Sequence, residues 1–338
     1  MKKTTTALIC GAAFTVAGAV SAQTLENVKE NGTLRCGVST GLLGFSMQNA
    51  NSEWEGIDVS YCRALAAAVL GDPQAVEFTP LTTKNRLTAL QSGEIDVLAR
   101  NTTWTVQRDS ELKLDFIGVN YYDGQGFMVK RELGVNSAKE LDGATICIQT
   151  GTTTELNLQD YFNTNGISYE PVPVETFAEA QQQYLAGACD SYTTDASGLA
   201  GVRATFETPT DHIILPEIIS KEPLGPVVQQ GDDQWADVAR WTLNALIAAE
   251  EYGVTSSNVN ELAEGVENPE INRLLGVEGD LGTMLGLEND WAVKAIGAGG
   301  NYGEIFERYV GEKTTVGLPR GLNAQWTQGG LMYSPPFR

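Results

Sequence analysis

The stretch AVEFTPLTTKNRLTALQSGEIDVLAR, residues 75–100, changes its periodicity twice. AVEFTPL reads as a strand, TKNRLTALQSG as a helix closed by Gly93, and IDVLAR as a second strand. Strand, helix and strand in turn predict crossover units on a parallel-leaning sheet.

Working outward, LRCGVS (34–39) is another strand, and GIDVSYCRALAAAVLG (56–71) runs into an Ala-rich amphipathic helix ended by Gly71. The same grammar restarts downstream. ATICIQTG (144–151), SYEPVPV (168–174) and CDSYTTD (189–195) read as strands; TTTELNLQDYFNTNG (152–166), TFAEAQQQYLAGA (176–188) and ASGLAGVRA (196–204) read as helices. Two similar α/β units predict a two-lobed molecule.

Between the units FIGVNYYDGQGFMVKREL (116–133) is extended and punctuated by glycine. After the second unit HIILPEIISKEPLGPVVQQGDDQW (212–235) is extended and broken by prolines, and it leads into the long amphipathic helix ADVARWTLNALIAAEEYG (236–253). If that helix packs back on the first unit, the chain crosses between lobes at about 122–128 and again at about 219–226. Two crossing strands make a hinge. The remaining segments VNELA, NPEINRLLG and DWAVKAIGAGGNYGEIFERYVG read as helices with Gly-rich joints, expected to cover the first lobe.

Composition limits the partners. The 338 residues carry 22 Lys+Arg against 43 Asp+Glu, a formal charge of −21, with 42% hydrophobic residues. Such a chain has ample core for two domains, and its charge opposes nucleic acid and anionic lipid. The N-terminus has Lys2 and Lys3, an apolar stretch from Ala7 to Val20, and the small-residue pattern Val20-Ser21-Ala22. It reads as a signal peptide, 1–22, cleaved after Ala22, which predicts export and a mature charge near −23 once the two lysines are lost. A lipid anchor at Cys10 is disfavoured, because Ala7-Leu8-Ile9 lacks the small residue expected just before such a cysteine.

Export permits disulfides. Of the three pairings open to Cys36, Cys62, Cys147 and Cys189, we expect Cys36–Cys62 and Cys147–Cys189, each tying a strand to a nearby element within its own half. With no CxxC pair and one histidine, His212, no metal site is expected. No cofactor is expected either: the GxxxxGK[ST] phosphate loop is absent.

The stretch NTTWTVQRDSEL (101–112) leaves the carboxyl end of a strand and turns into a short helix. Ligands of open α/β sheets bind outside the carboxyl ends of strands. Arg108 offers a planar fork that matches a carboxylate, although Thr105 could simply cap the helix and Arg108 pair with Asp109 or Glu111. In the second unit IQTGTTTE presents a glycine and consecutive threonines between strand and helix. Asp195 in CDSYTTDASG stands at another strand end, where it could take an ammonium group or cap the next helix. Together an arginine for carboxylate and an aspartate for ammonium describe an α-amino acid site.

The segments GFSMQNANSEWEGIDVSYCRAL, NRLTALQSGEIDVLARNTTWTVQR, CIQTGTTTELNLQDYF and CDSYTTDASGL, taken together, resemble the periplasmic amino-acid-binding proteins of ABC importers (solute-binding protein family 3). KEPLGPVVQQGDDQWADVARW, NYGEIFERYVG and GLPRGLNAQWTQGGLMYSPPFR resemble the longer subgroup serving general L-amino acid importers. The resemblance implies a type II periplasmic-binding-protein fold: two lobes, each a central mixed sheet flanked by helices, joined by a two-strand hinge. Lobe 1 is expected over 23–125 plus 223–338, with the C-terminal helical extension, and lobe 2 over 126–222.

It also implies that Arg108 clamps the ligand carboxylate with help from Asn101, Thr102 and Thr103, that Thr152 or Thr153 contributes from the second lobe, and that Asp195 takes the α-ammonium. Phe45 resembles the aromatic wall over the ligand side chain, with Gly44 in place of the usual proline. Thr83 and Arg86 correspond to positions that contact acidic side chains. Arg100 and Trp104 depart from the smaller residues common there, so side-chain preference is expected to be broad, including acidic and amide side chains. The implied partners are an L-amino acid and the inner-membrane permease of an ABC importer; the protein is expected to be a monomer.

Two rivals remain. An exported enzyme acting on a small amino or keto acid would need positioned acid–base groups. The lone His212, expected at the surface or hinge, does not supply them, and no serine-nucleophile elbow or HExxH motif is present. A ligand-sensing receptor subunit would ordinarily carry a fused membrane or signalling segment.

Overall fold

The computed structural model describes residues 23–338, and the expected signal peptide, 1–22, lies outside the described residues. After an opening helix, Thr24–Asn31, the chain forms β1 (Leu34–Ser39), α1 (Ile57–Leu70), β2 (Val76–Leu81), α2 (Arg86–Gln91), β3 (Val97–Leu98), β4 (Leu114–Phe116) and β5 (Tyr121–Asp123). It then builds β6 (Gln125–Lys130), β7 (Ala144–Gln149), α3 (Thr153–Asn165), β8 (Tyr169–Val174), α4 (Phe177–Leu185), β9 (Ser191–Asp195), α5 (Ala196–Ala204) and β10 (His212–Ile214). It returns through β11 (Glu222–Leu224) and β12 (Val227–Gln229) into α6 (Asp233–Glu251), and ends in an extension that includes α7 (Trp291–Gly299) and α8 (Tyr302–Tyr309).

Two five-stranded sheets result, ordered β2-β1-β3-β12-β4 and β8-β7-β9-β6-β10. In each, the first three strands are parallel and a fourth runs antiparallel to them: β12 against β3, β6 against β9. The antiparallel strands arrive from the two crossings between lobes. The crossings pair with each other, Glu222 opposite Asp123 and Leu224 opposite Tyr121. Gly225 lies where the second crossing meets the first, and a Cβ there would stand 1.9 Å from the Gly118 carbonyl oxygen, so only glycine fits.

Each lobe holds one disulfide. Cys36 on β1 is bonded to Cys62 in α1, and Cys147 on β7 to Cys189 just before β9, with Cα separations of 6.4 and 5.5 Å. The returning helix α6 is capped by Asp232, whose carboxylate accepts from the Trp235 N–H at 3.0 Å. The buried Trp235 indole donates to the Asp96 carbonyl at 2.8 Å, fixing α6 on the first sheet.

The C-terminal extension packs against the first lobe. α7 lies along α1, where Ala64, Ala67 and Ala68 on one helix and Ala292 and Ala295 on the other are buried and let the backbones approach closely. Tyr302 donates to the Asn120 carbonyl at 2.9 Å, and the Asn323 side chain both accepts from and donates to the Tyr122 backbone, at 2.7 and 3.1 Å. The extension therefore braces the first crossing strand as well as the core.

Three local expectations are corrected. The strand expected over 95–100 is laddered only at Val97–Leu98: the Ala99 N–H still reaches the Gly37 carbonyl, and the left-handed backbone at Asn101, φ +29°, ends the extended run. The short helix after NTTWT is a single π-helical turn, Gln107–Glu111. His212 is not a surface or hinge residue. It begins the edge strand β10, is 6% exposed, and shares a 2.9 Å hydrogen bond with the Tyr184 hydroxyl while packing edge-on to Phe206.

Candidate functional site

The turn after β2 and the carboxyl ends of β3, β7 and β9 face the gap between the lobes, and a small cavity of about 20 Å³ lies there. Lobe 1 lines it with Thr83, Arg86, Arg100, Asn101 and Thr103. Lobe 2 adds Gln149, Thr152, Thr153, Thr154, Phe177, Thr194 and Asp195. The lobes are closed over it: the Thr83 hydroxyl donates to the Thr150 carbonyl at 2.8 Å, and Lys84 pairs with Glu175 at the rim.

The loop after β3 is shaped by a buried carboxylate. Asp58, from the first turn of α1, accepts from the Asn101 N–H and from the Asn120 side chain, both at 3.0 Å. Burial pushes its pKa up to about 6 against those two hydrogen bonds. Asn101 takes a left-handed backbone, φ +29°, which asparagine tolerates better than most residues.

Arg86 and Arg100 are both deeply buried, at 3% and 1% exposure. Among the described residues Arg86 Nη1 makes only long contacts of 3.3–3.4 Å, to the Arg100 and Asn101 carbonyls and the Thr102 hydroxyl, and its Nε has no partner. Arg100 Nε donates to the Leu81 carbonyl at 3.1 Å, while its Nη2 has no partner among the described residues. Burial, with the mutual repulsion of the arginines, lowers the Arg86 pKa well below its ordinary value; burial also lowers that of Arg100, to about 10. Two buried cations with unmet donors are costly unless an anion joins them.

Asp195 is the complementary group. It occupies the cap position of α5, yet its side chain makes no capping bond. Asp123 of the first crossing bonds the Ser197 N–H and hydroxyl at that helix start instead. Among the described residues no donor reaches the Asp195 carboxylate. Burial first, then Asp123 and Glu222, raise its pKa well above the usual carboxylate range, with Arg86 and Arg108 pulling the other way.

The structure thus brings Thr83, Arg86, Asn101, Thr103, Thr152, Thr153 and Asp195 together on one cavity. Arg108, Thr102 and Phe45 are not on its wall. Arg108 donates from Nη1 to the Thr103 carbonyl at 2.8 Å; burial lowers its pKa, and Glu222 and Asp195 oppose that. Thr102 is wholly buried and donates to the Arg100 carbonyl at 2.8 Å. Phe45 is a core residue, edge-on to Tyr121 with ring centroids 5.2 Å apart. Thr152 spends its hydroxyl on capping α3: it accepts from the Glu155 N–H and donates to the Gln149 carbonyl.

Sequence reasoning missed Gln149, Thr154, Phe177 and Thr194, and treated Arg100 only as a departure affecting pocket size. Gln149 and Thr194 sit at strand ends, the place where the β-strand pattern directs attention. Phe177 opens α4 and gives no such signal, because its exposure to the cleft depends on how the lobes meet.

Residues 34–258 match the family described as bacterial extracellular solute-binding proteins, family 3. The chain is 63% identical over 323 residues, covering 96% of each protein, to the glutamate/glutamine/aspartate/asparagine-binding protein BztA of Rhodobacter capsulatus. It is 56% identical over 342 residues, the full length of both, to the general L-amino acid-binding periplasmic protein AapJ of Rhizobium johnstonii. Among solved structures it resembles an ABC transporter periplasmic binding protein from Brucella ovis with glutathione bound: TM-score 0.91, 59% identity, covering 94% of this chain and all of that one. No helix among the described residues is long and apolar enough to cross a membrane.

Proposed function

Since this chain belongs to the bacterial extracellular solute-binding proteins of family 3, we propose that it is the periplasmic capture subunit of an ABC importer for L-amino acids, with broad specificity that includes acidic and amide side chains. The observation that carries the ligand class is the pairing, in one cavity, of two arginines with unmet N–H groups and an aspartate without a donor. An α-ammonium on Asp195 and carboxylate oxygens on the arginines would satisfy all three. Relatives named for glutamate, glutamine, aspartate and asparagine and for general L-amino acids support the same reading.

In this reading residues 23–125 plus 223–338 move as one body and 126–222 as the other, about the paired crossings β5 and β11. Lobe 1 supplies the arginines and lobe 2 supplies Asp195, so a ligand completes its contacts only when the lobes are together, and binding shifts the population toward the closed form. The closed form then delivers its ligand to the membrane permease. Arg108, one hydrogen bond behind Thr103, would hold that loop and add positive field to the carboxylate end.

The test is calorimetric titration of the mature protein, unfolded and refolded to strip bound ligand, against L- and D-amino acids, their keto-acid counterparts and glutathione. Binding of L-glutamate, L-aspartate and their amides, with keto acids silent, is the expected outcome. Binding of keto acids alone, or turnover of any ligand, would overturn it.

A further inference from the structure

The hydroxyls of Thr103 and Thr153, which the sequence assigns to a ligand carboxylate, already hold a carboxylate of the protein itself. Glu222, the first residue of β11 in the second crossing, is 1% exposed. Its Oε2 accepts from the Thr103 hydroxyl of lobe 1 at 2.6 Å and from the Thr153 hydroxyl of lobe 2 at 2.8 Å. Its Oε1 accepts from the Asn157 amide at 2.7 Å and the Ser220 hydroxyl at 2.6 Å. The two threonine hydroxyls are themselves 3.3 Å apart.

Thr103 follows β3 and is bridged to Leu224 at the base of the hinge, whereas Thr153 opens α3 on the other lobe. One oxygen can receive both only when the lobes are together. Four short hydrogen bonds converging on one buried carboxyl group in a dry setting are costly to lose. None of the four donors belongs to a ligand.

We infer that Glu222 is a ligand-independent closure latch: a positioning residue that, from within the hinge, gathers Thr103 and Thr153 and so lets the empty protein populate the closed arrangement. The inference rests on the hinge closure proposed above. A ligand for a closed form already present at fraction f binds with an apparent dissociation constant of the intrinsic value divided by f, so loss of the latch weakens binding by the factor by which f falls.

The experiment places spin labels, through a non-canonical amino acid that spares the four cysteines, at the exposed positions Thr88 on α2 and Ala178 on α4. Distances are measured by pulsed electron resonance, with and without saturating L-glutamate, in the otherwise native protein and in Glu222→Ala and Glu222→Gln. Empty native protein should show a short-distance population. Glu222→Ala should lower its ratio to the long-distance one by about tenfold, and glutamate affinity by the factor by which f falls. The glutamate-bound distance should stay unchanged, and Glu222→Gln, which keeps one acceptor oxygen, should fall between. Thr153→Val, a cavity-lining residue, supplies the empty-protein distance readout alone, without touching the hinge, if the Glu222 variants fail to fold. Equal distance distributions in empty native and variant proteins would overturn the latch, including the case in which both are wholly open. If glutamate fails to shorten the distance even in native protein, the closure reading itself falls.

Discussion

Arg100 of the first lobe stands over the ring of Phe177 of the second, its guanidinium carbon 5.9 Å from the ring centroid, across the cavity that both line. A guanidinium on an aromatic face is fixed in plane and leaves its edge for a planar acceptor. Arg100 has a free Nη2 in this position, so the pair combines a lobe-to-lobe contact with a donor facing an anionic ligand.

Replacing Arg100 by methionine keeps the stem and removes the donors. Binding of L-glutamate and L-aspartate should weaken by roughly 2–5 kcal/mol, the usual loss when one side of a buried charge pair is removed. Binding of an aliphatic amino acid, whose α-carboxylate meets the same arginines, should weaken by a similar amount, and titration calorimetry on both ligand classes checks it.

Asp195 controls how binding depends on pH. Burial, Asp123 and Glu222 raise its pKa in the empty protein, and a ligand ammonium would favour the ionised form, so binding should release protons. Affinity should therefore rise with pH through the acid range until Asp195 is ionised without ligand. Titrations in buffers of different ionisation enthalpy count the protons; uptake instead of release would contradict the assignment. Asp195→Asn should remove the release and weaken binding at least about 30-fold.

Asp58 affects stability in the sense opposite to that of an ordinary salt-bridged carboxylate. Its folded pKa, pushed up to about 6, exceeds the unfolded value near 3.8, so the stability it contributes is full at acid pH and is lost as pH rises through 6. The shift corresponds to about 3 kcal/mol. Chemical denaturation between pH 4 and 8 should show Asp58→Asn losing this part of the pH slope. An identical slope in the variant would show that Asp58 is not the titrating group.

Each disulfide lies within one lobe, so removing either should lower stability and leave the hinge intact. Replacing Cys147 and Cys189 together by alanine should cost about 2–5 kcal/mol, and the Cys36–Cys62 pair a similar amount. Separate melting curves for the two variants check this, and glutamate-induced closure should survive in both wherever the protein is folded.

Much of this molecule was readable before folding. The alternation around residues 75–100 and its repetition after 144 set two parallel-leaning sheets, and the extended segments near 122 and 222 set the crossings, because local periodicity reports which face of an element is buried. The resemblance in the family segments pointed to Asp195, Asn101, Thr103, Thr153 and Arg86, all of which meet in the cleft. It placed Phe45 on the ligand wall, where the fold instead buries it against Tyr121.

What the sequence could not decide is which charges end up facing one another. Arg100 looked like a local substitution beside Asn101, and it became a cavity cation only because Phe177, from the other lobe, closes over it. Thr103 and Thr153 looked like ligand donors, and Glu222, 119 residues from the first and 69 from the second, reached both. Periodicity and turn chemistry act over a few residues and are written locally in the chain. The partner of a buried charge is chosen by desolvation, which compels each such group to find whatever the closed lobes bring within hydrogen-bond distance, and that is a property of the tertiary structure alone.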